Sequence, residues 1–572
     1  MTAQTLFTPA EPAYPMAYPA GIDWAAPLPE QTMPQMFEAA AARFAGRPML
    51  DFLGKRYAYA EIEDLVFRAA KGLQRLGLRK GDRVGLFLPN TPVFVVCYFA
   101  VLKAGGVVVN LNPLYAEREI RGIIDDARIE IIVTLDLKLL YDKIAPMLGN
   151  ACLKRLAVAR MADCLPWPKS WLFPLAKRKE IAVWPQDDRH VAFRDLLAND
   201  GRPVDVAIDP VKDLAALQYT GGTTGAPKGA MLTHANLTAN VEQCARWCVE
   251  ARPGEERMLG VLPFFHVFAM TAVMNMSIRI GAEIIMLPRY DLTQTLETIA
   301  QKKPTLFPAV PTIYTAINLR PDRAKYDLSS IRFCISGGAP LPVEVREAFM
   351  RNTGCVLVEG YGLTESSPVA CCNPQRGANK AGSVGLPLPG TVVEIVSLDD
   401  GETVLGVGEK GEICIRGPQV MAGYWGRPDE TNEALRGGRL HTGDVGHVDE
   451  DGYVFIVDRI KDMILSKGYN VYPRNVEEAI HLHPKVAECV VAGLPDDYRG
   501  QVVKAYIRVL DGETLTAQEL TEFLKDKLSP METPKLIEFR AELPRTMIGK
   551  LSRKALLEEE AARRSLSGGS DA

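Results

Sequence analysis

Arg83-Val-Gly-Leu-Phe-Leu-Pro-Asn-Thr-Pro-Val-Phe-Val-Val-Cys-Tyr-Phe-Ala-Val-Leu-Lys-Ala-Gly-Gly-Val-Val-Val-Asn110 carries no charge from Val84 to Leu102, a run long enough to suggest a membrane span. Pro89-Asn-Thr-Pro92 in its middle breaks that reading and marks a turn between a strand and a helix. Arg83–Leu88 then reads as a buried strand, Val93–Lys103 as a helix and Val107–Asn110 as a second strand. A helix over Glu117–Asp126 and a strand over Ile129–Thr134 continue the alternation. Strand–helix–strand repeats of this kind build a largely parallel sheet covered on both faces.

The pattern returns between Asp213 and Tyr314: a strand over Ala215–Tyr219, a helix from about Ala235, and short apolar strands near Met258–Leu262 and Glu283–Met286. From Gly411 to Val457 the texture changes to short strands and glycine turns, as in Gly411-Glu-Ile-Cys-Ile-Arg-Gly417 and Asp451-Gly-Tyr-Val-Phe-Ile-Val457. That texture predicts a small barrel or sheet, with the main domain boundary after it at Asp458-Arg459. Beyond it, strands at Cys489–Ala492 and Val502–Val509 and helices over Ala517–Leu528 and Arg553–Arg564 predict an α+β module. Residues 1–30, with Pro9, Pro12, Pro15, Pro19 and Pro27, read as an N-terminal arm, and 566–572 as a disordered polar tail.

A chain of 572 residues has room for several cores, and a net charge of −4 leaves no global basic surface for nucleic acid. The eleven cysteines form no CxxC pair, so they fit a reducing compartment, and no second Cys or His pair stands at a spacing that completes a zinc motif around Cys244 and Cys248. Met1-Thr-Ala-Gln lacks a basic n-region and an apolar h-region, so a cytoplasmic protein is expected.

Tyr219-Thr-Gly-Gly-Thr-Thr-Gly-Ala-Pro-Lys-Gly229 follows an apolar strand. Its glycines let backbone N–H groups approach a polyphosphate, while the threonine hydroxyls and Lys228 add donors and charge. It is not a Walker A loop, because Gly229 stands where that motif needs Ser or Thr. Glu359-Gly-Tyr-Gly-Leu-Thr-Glu-Ser366 sets a flat ring, a hydroxyl and a carboxylate in one turn: Tyr361 to stack on a purine, Thr364 to donate to a phosphate, and Glu365 to hold magnesium. Leu440-His-Thr-Gly-Asp444 offers a carboxylate for a ribose diol, and Arg459 a further donor.

These segments, with Asp458-Arg-Ile-Lys-Asp462 and Pro544-Arg-Thr-Met-Ile-Gly-Lys550, resemble in order the core motifs of the adenylate-forming superfamily of acyl-CoA synthetases, luciferases and peptide-synthetase adenylation domains. The resemblance runs from Tyr57 to Leu556. It implies an α/β protein with a large N-terminal domain of two layered α/β subdomains plus a small β-barrel (31–458), and a mobile α+β C-terminal domain (459–565). It implies ATP, magnesium and coenzyme A as the cofactor and cosubstrates. Residue by residue, Thr220, Gly221, Gly222, Thr223, Thr224, Gly225 and Lys228 match the triphosphate loop, and Gly338, Ala339, Glu359, Gly360, Tyr361 and Gly362 the adenine wall. Thr223 and Glu365 match the magnesium contacts, Thr364 a phosphate donor, Asp444 and Arg459 the ribose positions, and Lys550 the catalytic lysine. Lys461 matches the hinge, and Lys467, Gly468 and Tyr469 the pantetheine face.

A cation such as Lys550 meets a need that can be stated chemically. A carboxylate attacking the α-phosphate of an anionic triphosphate is repelled until positive charge sits between the two, and the transition state spreads more charge over the equatorial oxygens.

His266, in Pro263-Phe-Phe-His-Val-Phe-Ala-Met270, matches the family motif beside the acyl pocket. Val267, Phe268 and Met270 either line that pocket or serve as plain helix core. Trp167-Pro-Lys-Ser-Trp-Leu-Phe-Pro-Leu-Ala-Lys-Arg-Lys179 mixes aromatics, leucines and bases as a bilayer interface would require, or forms a hairpin packed on the protein. A similar insertion marks bacterial long-chain fatty-acyl-CoA synthetases, which implies a medium- or long-chain fatty acid, peripheral contact with the inner membrane through 165–179, and a homodimer. Two positions depart from the pattern: Met270 stands where some long-chain enzymes carry a gating tryptophan, and Leu465 where some relatives carry a base. The competing readings are a ligase for aryl acids such as 4-coumarate, and an acyl-AMP ligase that loads a carrier protein.

Overall fold

The computed structural model describes residues 12–14, 16–149, 152–220, 227–466, 469–496, 500–545 and 551–567. The chain divides into two compact units. The first is built from 17–392 and 415–440, the second from Ala13–Met16, Val393–Cys414 and the residues from His441 onward. The small β region therefore goes with the C-terminal residues in this division, whereas the sequence reading set a boundary at Asp458-Arg459.

In the first unit the opening pattern folds as a seven-stranded sheet. Its order is His190–Ala192, Arg155–Ala159, Ile131–Leu135, Arg83–Leu86, Val107–Asn110, Leu214–Thr220 and Lys228–Thr233. All neighbours are parallel except the last pair, which is an antiparallel hairpin. Pro92–Lys103 is a helix with eleven of its twelve residues buried, which accounts for a sequence with no polar face. Proline at its first position starts it, and Lys103 closes it.

A second layer joins Arg257–Gly260, Glu283–Met286, Pro48–Phe52 and Lys55–Ala58. Through single bridges at Leu306 it continues to the sheet of Phe333–Ser336, Val356–Gly362, Val369–Cys372 and Leu386–Pro387. Residues 17–32 are irregular but tied to this unit: Trp24 Nε1 donates to the Thr391 carbonyl at 3.0 Å, and Tyr18 stacks edge-on against Trp247.

The second unit contains the four-stranded sheet Val392–Val396, Gly411–Arg416, Leu440–Val448, Val454–Arg459, the element expected as a small barrel. Its α+β part is a sheet around the long hairpin Val486–Asp496 and Gly500–Val509. The helices Pro473–His481 and Ala517–Leu524 bury Val476, Ile480, Leu520 and Leu524 against that sheet. All eleven cysteines are free thiols.

Candidate active site

The antiparallel strands Leu214–Thr220 and Lys228–Thr233 pair Thr220 with Lys228, so the glycine-rich segment connects two strands of one sheet rather than a strand and a helix. Gly221, Gly222, Thr223, Thr224 and Gly225 lie outside the described residues. Lys228 Nζ stands 5.3 Å from the centroid of the Tyr424 ring, and Tyr424 Oη donates to Glu365 Oε1 at 2.7 Å. The backbone keeps this chain of contacts in place: Met231 N–H donates to the Gly423 carbonyl, Trp425 N–H to Gly229 and Met421 N–H to Glu365, each at 2.8 Å. Tyr424 thereby joins the expected phosphate lysine to the expected magnesium carboxylate. Sequence reasoning passed over it; the aromatic pair between Gly423 and Gly426 was the available signal.

The residues expected to form the adenine wall come together because two parallel strands, Phe333–Ser336 and Val356–Gly362, pair Ser336 with Glu359. The chain leaves the first strand through Gly337, Gly338 and Ala339, and Glu359 Oε1 accepts the Leu341 N–H at 3.1 Å, which draws that loop back against the second. Gly338 has φ +83°, and a Cβ on Gly362 would lie 1.7 Å from the Pro368 carbonyl oxygen, so neither position accepts a side chain without strain. Thr364 and Glu365 follow in a single 3-10 turn, Thr364–Ser366.

His266 precedes an unusual helix. Its Nδ1 accepts the Phe268 N–H at 3.3 Å and its carbonyl the Met270 N–H at 2.9 Å, and a π-helical stretch then runs from Ala269 to Asn275. Such stretches are rare and concentrate at functional sites. Thr271 Oγ1 donates to the Ser367 carbonyl at 2.7 Å, and a Cβ on Gly337 would lie 3.2 Å from the Phe268 ring, so this helix borders the Gly337–Gly338 and Glu359–Gly362 segments. Met270 is fully buried with Asn110 Nδ2 3.3 Å from its sulfur.

Beyond the helix lies a small cavity with an almost wholly apolar lining. Its walls include Ala272 and Met276 from the helix, Trp247, Phe333, Ile335 and Val369. Val267, Phe268 and Met270 are not among the lining residues, whereas Ala272 and Met276 further along the same helical segment are.

In the second unit, Asp444 and Arg459 are paired across antiparallel strands, and Arg459 Nε donates to Asp444 Oδ1 at 2.9 Å. Asp444 is 3% exposed. The neighbouring Asp458 accepts backbone N–H groups from Arg459 at 2.7 Å and Arg474 at 2.8 Å, yet burial outweighs these and pushes its carboxyl up to about 6. Lys461 sits in the 3-10 turn Ile460–Asp462 directly after the strand. Lys467, Gly468, Lys550 and the side chain of Tyr469 lie outside the described residues, while Arg545 and Leu551 on either side of 546–550 are bridged to each other.

The aromatic and basic insertion is a single helix, Lys169–Ala176, with none of its residues buried. Trp167 is 84% and Trp171 67% exposed, so the packed hairpin considered from the sequence is not formed. Among the described residues no helix is long and apolar enough to cross a membrane.

Comparison with known proteins follows the same geometry. Residues 37–425 match the AMP-binding enzyme family, and 475–550 the AMP-binding enzyme C-terminal domain. A long-chain-fatty-acid–CoA ligase of Bacillus subtilis is 46% identical over 95% of this chain and 97% of its own. One from Escherichia coli O157:H7 is 38% identical over 96% and 97%, and a feruloyl-CoA synthase of Amycolatopsis is 36% identical over 87% and 93%. Among solved structures, an anthranilate CoA ligase in complex with anthranoyl-AMP superposes with a TM-score of 0.82 at 26% identity, covering 95% of this chain and all of that one. A Mycobacterium tuberculosis fatty acyl CoA synthetase superposes with a TM-score of 0.70 at 28% identity, over 93% and 99%.

Proposed function

Because this chain belongs to the AMP-binding enzyme family, we propose that it activates a medium- or long-chain fatty acid with ATP and transfers the acyl group to coenzyme A. The observation that carries the choice of acid is the near full-length identity to ligases named for long-chain fatty acids, and the apolar cavity beside Ala272 agrees with it. The reaction has two halves. A carboxylate oxygen attacks the α-phosphorus, the bond to the bridging oxygen breaks, and pyrophosphate leaves with that electron pair. The sulfur of coenzyme A then attacks the acyl carbon, the carbon–oxygen bond to phosphate breaks, AMP leaves and the thiol proton passes to solvent.

In our assignment Lys228, Thr220 and the loop 221–225 bind the β- and γ-phosphates, Thr364 donates to a phosphate oxygen, and Lys550 bridges the carboxylate and the α-phosphate. Gly338, Ala339, Glu359, Gly360, Tyr361 and Gly362 bound the adenine, and Asp444 and Arg459 take the ribose. His266 orients the carboxylate, with the chain passing Phe268 into the cavity. Glu365 and Thr223 would hold the magnesium that neutralises phosphate charge; a carboxylate with one oxygen already fixed by Tyr424 fits such an oxygen-ligand ion. No enzyme nucleophile is needed, in keeping with burial that pushes the Cys244, Cys371 and Cys489 thiols upward.

Between the two halves the thiol must reach a carbonyl that Lys550 has covered. We assign Lys461 as the pivot, with 459–565 as the moving domain and Lys467, Gly468 and Tyr469 as the face presented to pantetheine. The exposed tryptophans beside Lys169, Lys177, Arg178 and Lys179 support peripheral docking at an anionic bilayer. Sedimentation with phosphatidylglycerol vesicles, lost on Trp171→Ala with Lys177 and Arg178 neutralised, tests it; unchanged pelleting removes this part.

The deciding assay measures thiol consumption with ATP, magnesium, coenzyme A and acids from acetate through palmitate to 4-coumarate, with Lys550→Ala alongside. Activity peaking on medium or long aliphatic acids and lost in the variant is expected. A peak on 4-coumarate would favour the aryl alternative that the feruloyl-CoA synthase relative raises, and acyl-AMP without thiol consumption would point to a carrier-loading enzyme.

A further inference from the structure

The turn that carries Asp444 is held by a side chain to which the mechanism above gives no part. Glu412, on the strand Gly411–Arg416, is 5% exposed, and its two oxygens serve two positions of that turn, His441 and Gly443. Oε2 accepts from His441 Nδ1 at 2.8 Å, and Oε1 accepts the Gly443 N–H at 2.9 Å. Gly443 has φ +72°, a left-handed residue within the strand Leu440–Val448, and Glu412 satisfies the N–H that this kink turns inward. Thr442 completes the brace. Its Oγ1 donates to the Ile413 carbonyl at 2.7 Å and accepts the Asp444 N–H at 3.1 Å. His441, Thr442, Gly443 and Asp444 are thus each fixed, three of them by residues 412 and 413.

Cys414 Sγ lies 3.4 Å from the same imidazole nitrogen, so the three donors are close enough together to suggest a metal site. The distances favour hydrogen bonding. Two ligands of one tetrahedral zinc, each at about 2.05 Å, stand roughly 3.3 Å apart. The 2.8 Å between Nδ1 and Oε2 is instead a hydrogen-bond length, and the second carboxylate oxygen is already used on Gly443.

We propose that Glu412 is a positioning residue which, through His441 and Gly443, sets the carboxylate of Asp444 against the ribose of the nucleotide and so governs discrimination between ribo- and deoxyribonucleoside triphosphates. The inference rests on the assignment of Asp444 to the ribose. Removing the carboxylate leaves a buried N–H at Gly443 and an imidazole N–H at His441 without their partner, so the turn relaxes and Asp444 loses its aim. Glutamine in its place can keep both contacts, accepting from Gly443 and donating to the other tautomer of His441.

The test is the ratio of kcat/KM for ATP to that for 2′-deoxy-ATP, measured with palmitate in the full-length protein. The ratio is independent of the fraction of folded enzyme, so partial misfolding of a variant does not mask the result. Asp444→Asn should reduce the wild-type preference by about tenfold or more, the value of one hydrogen bond to a charged group. Glu412→Ala should reduce it by about three- to tenfold, and Glu412→Gln should return it to within about twofold of wild type. A collapsed ratio in Asp444→Asn with a wild-type ratio in Glu412→Ala would overturn the positioning role of Glu412. A wild-type ratio in Asp444→Asn would instead overturn the ribose assignment itself, and the inference with it.

Discussion

Ala272→Phe should convert the enzyme from long to short acids. Ala272 is 2% exposed and lines the apolar cavity from the π-helical stretch. A phenyl ring built there occupies the length of roughly four methylenes of a bound chain, and each buried methylene contributes about 0.8 kcal/mol. Palmitate would forfeit about 3 kcal/mol of binding, a loss of about 200-fold in kcat/KM. Hexanoate, whose chain ends before the obstruction, should change by less than about threefold. The assay is thiol release over even-numbered acids from six to sixteen carbons, with thermal unfolding as a control for core overpacking, which alone can cost about 1–3 kcal/mol of stability. Palmitate turnover equal to wild type in a folded variant would show that the acyl chain lies elsewhere. A uniform fall across all lengths would show a damaged fold and refute the length argument equally.

Tyr424→Phe removes the hydroxyl that holds Glu365, and with it a charge-assisted hydrogen bond of about 1.5–3 kcal/mol. Pyrophosphate release should then need about tenfold more magnesium for half-maximal rate, and an unchanged magnesium curve would contradict the link between the two residues. His234 is buried, accepts the Met33 N–H on Nδ1 at 3.2 Å, and burial holds its imidazole down to about 4. Since the unfolded chain protonates this group near 6.5, stability is lost as pH falls through the window from 6.5 to 4, by about 2 kcal/mol at pH 5. Urea unfolding of His234→Asn at pH 7.5 and 5 should lack that part of the slope; a slope identical to wild type would refute it.

The α/β layers were legible wherever a short β-branched run is bounded by glycine or charge, and the strands Val107–Asn110 and Glu283–Met286 match the sequence reading to the residue. Elements whose identity depends on distant partners were not. Pro48–Phe52 earns its place by pairing in parallel with Glu283–Met286, more than two hundred residues on, and nothing local announces that. The return strand Lys228–Thr233 was hidden because Gly229 interrupts its pattern. For the site, motifs named the residues contributed by backbone turns, such as Gly338 and Asp444, because their spacing is local. Tyr424 and Glu412 act on groups 59 and 29–31 positions away, and no periodicity carries such information. The exposure of Trp167 and Trp171 was foreshadowed by composition, since a helix this rich in both bases and aromatics has no face suited to a core.

The π-helical stretch from Ala269 to Asn275 also bears on how this protein can change. It accommodates one residue more than an α-helix of the same span, so a single deletion there can be absorbed by reverting to α geometry, without breaking the chain on either side. Because the extra residue is taken up within the stretch itself, the residues on either side keep their register and only the side chains between them are redistributed. A lineage could thus change how Ala272 and its neighbours line one cavity wall in one genetic event, where point substitutions would have to pass through several poorly packed intermediates.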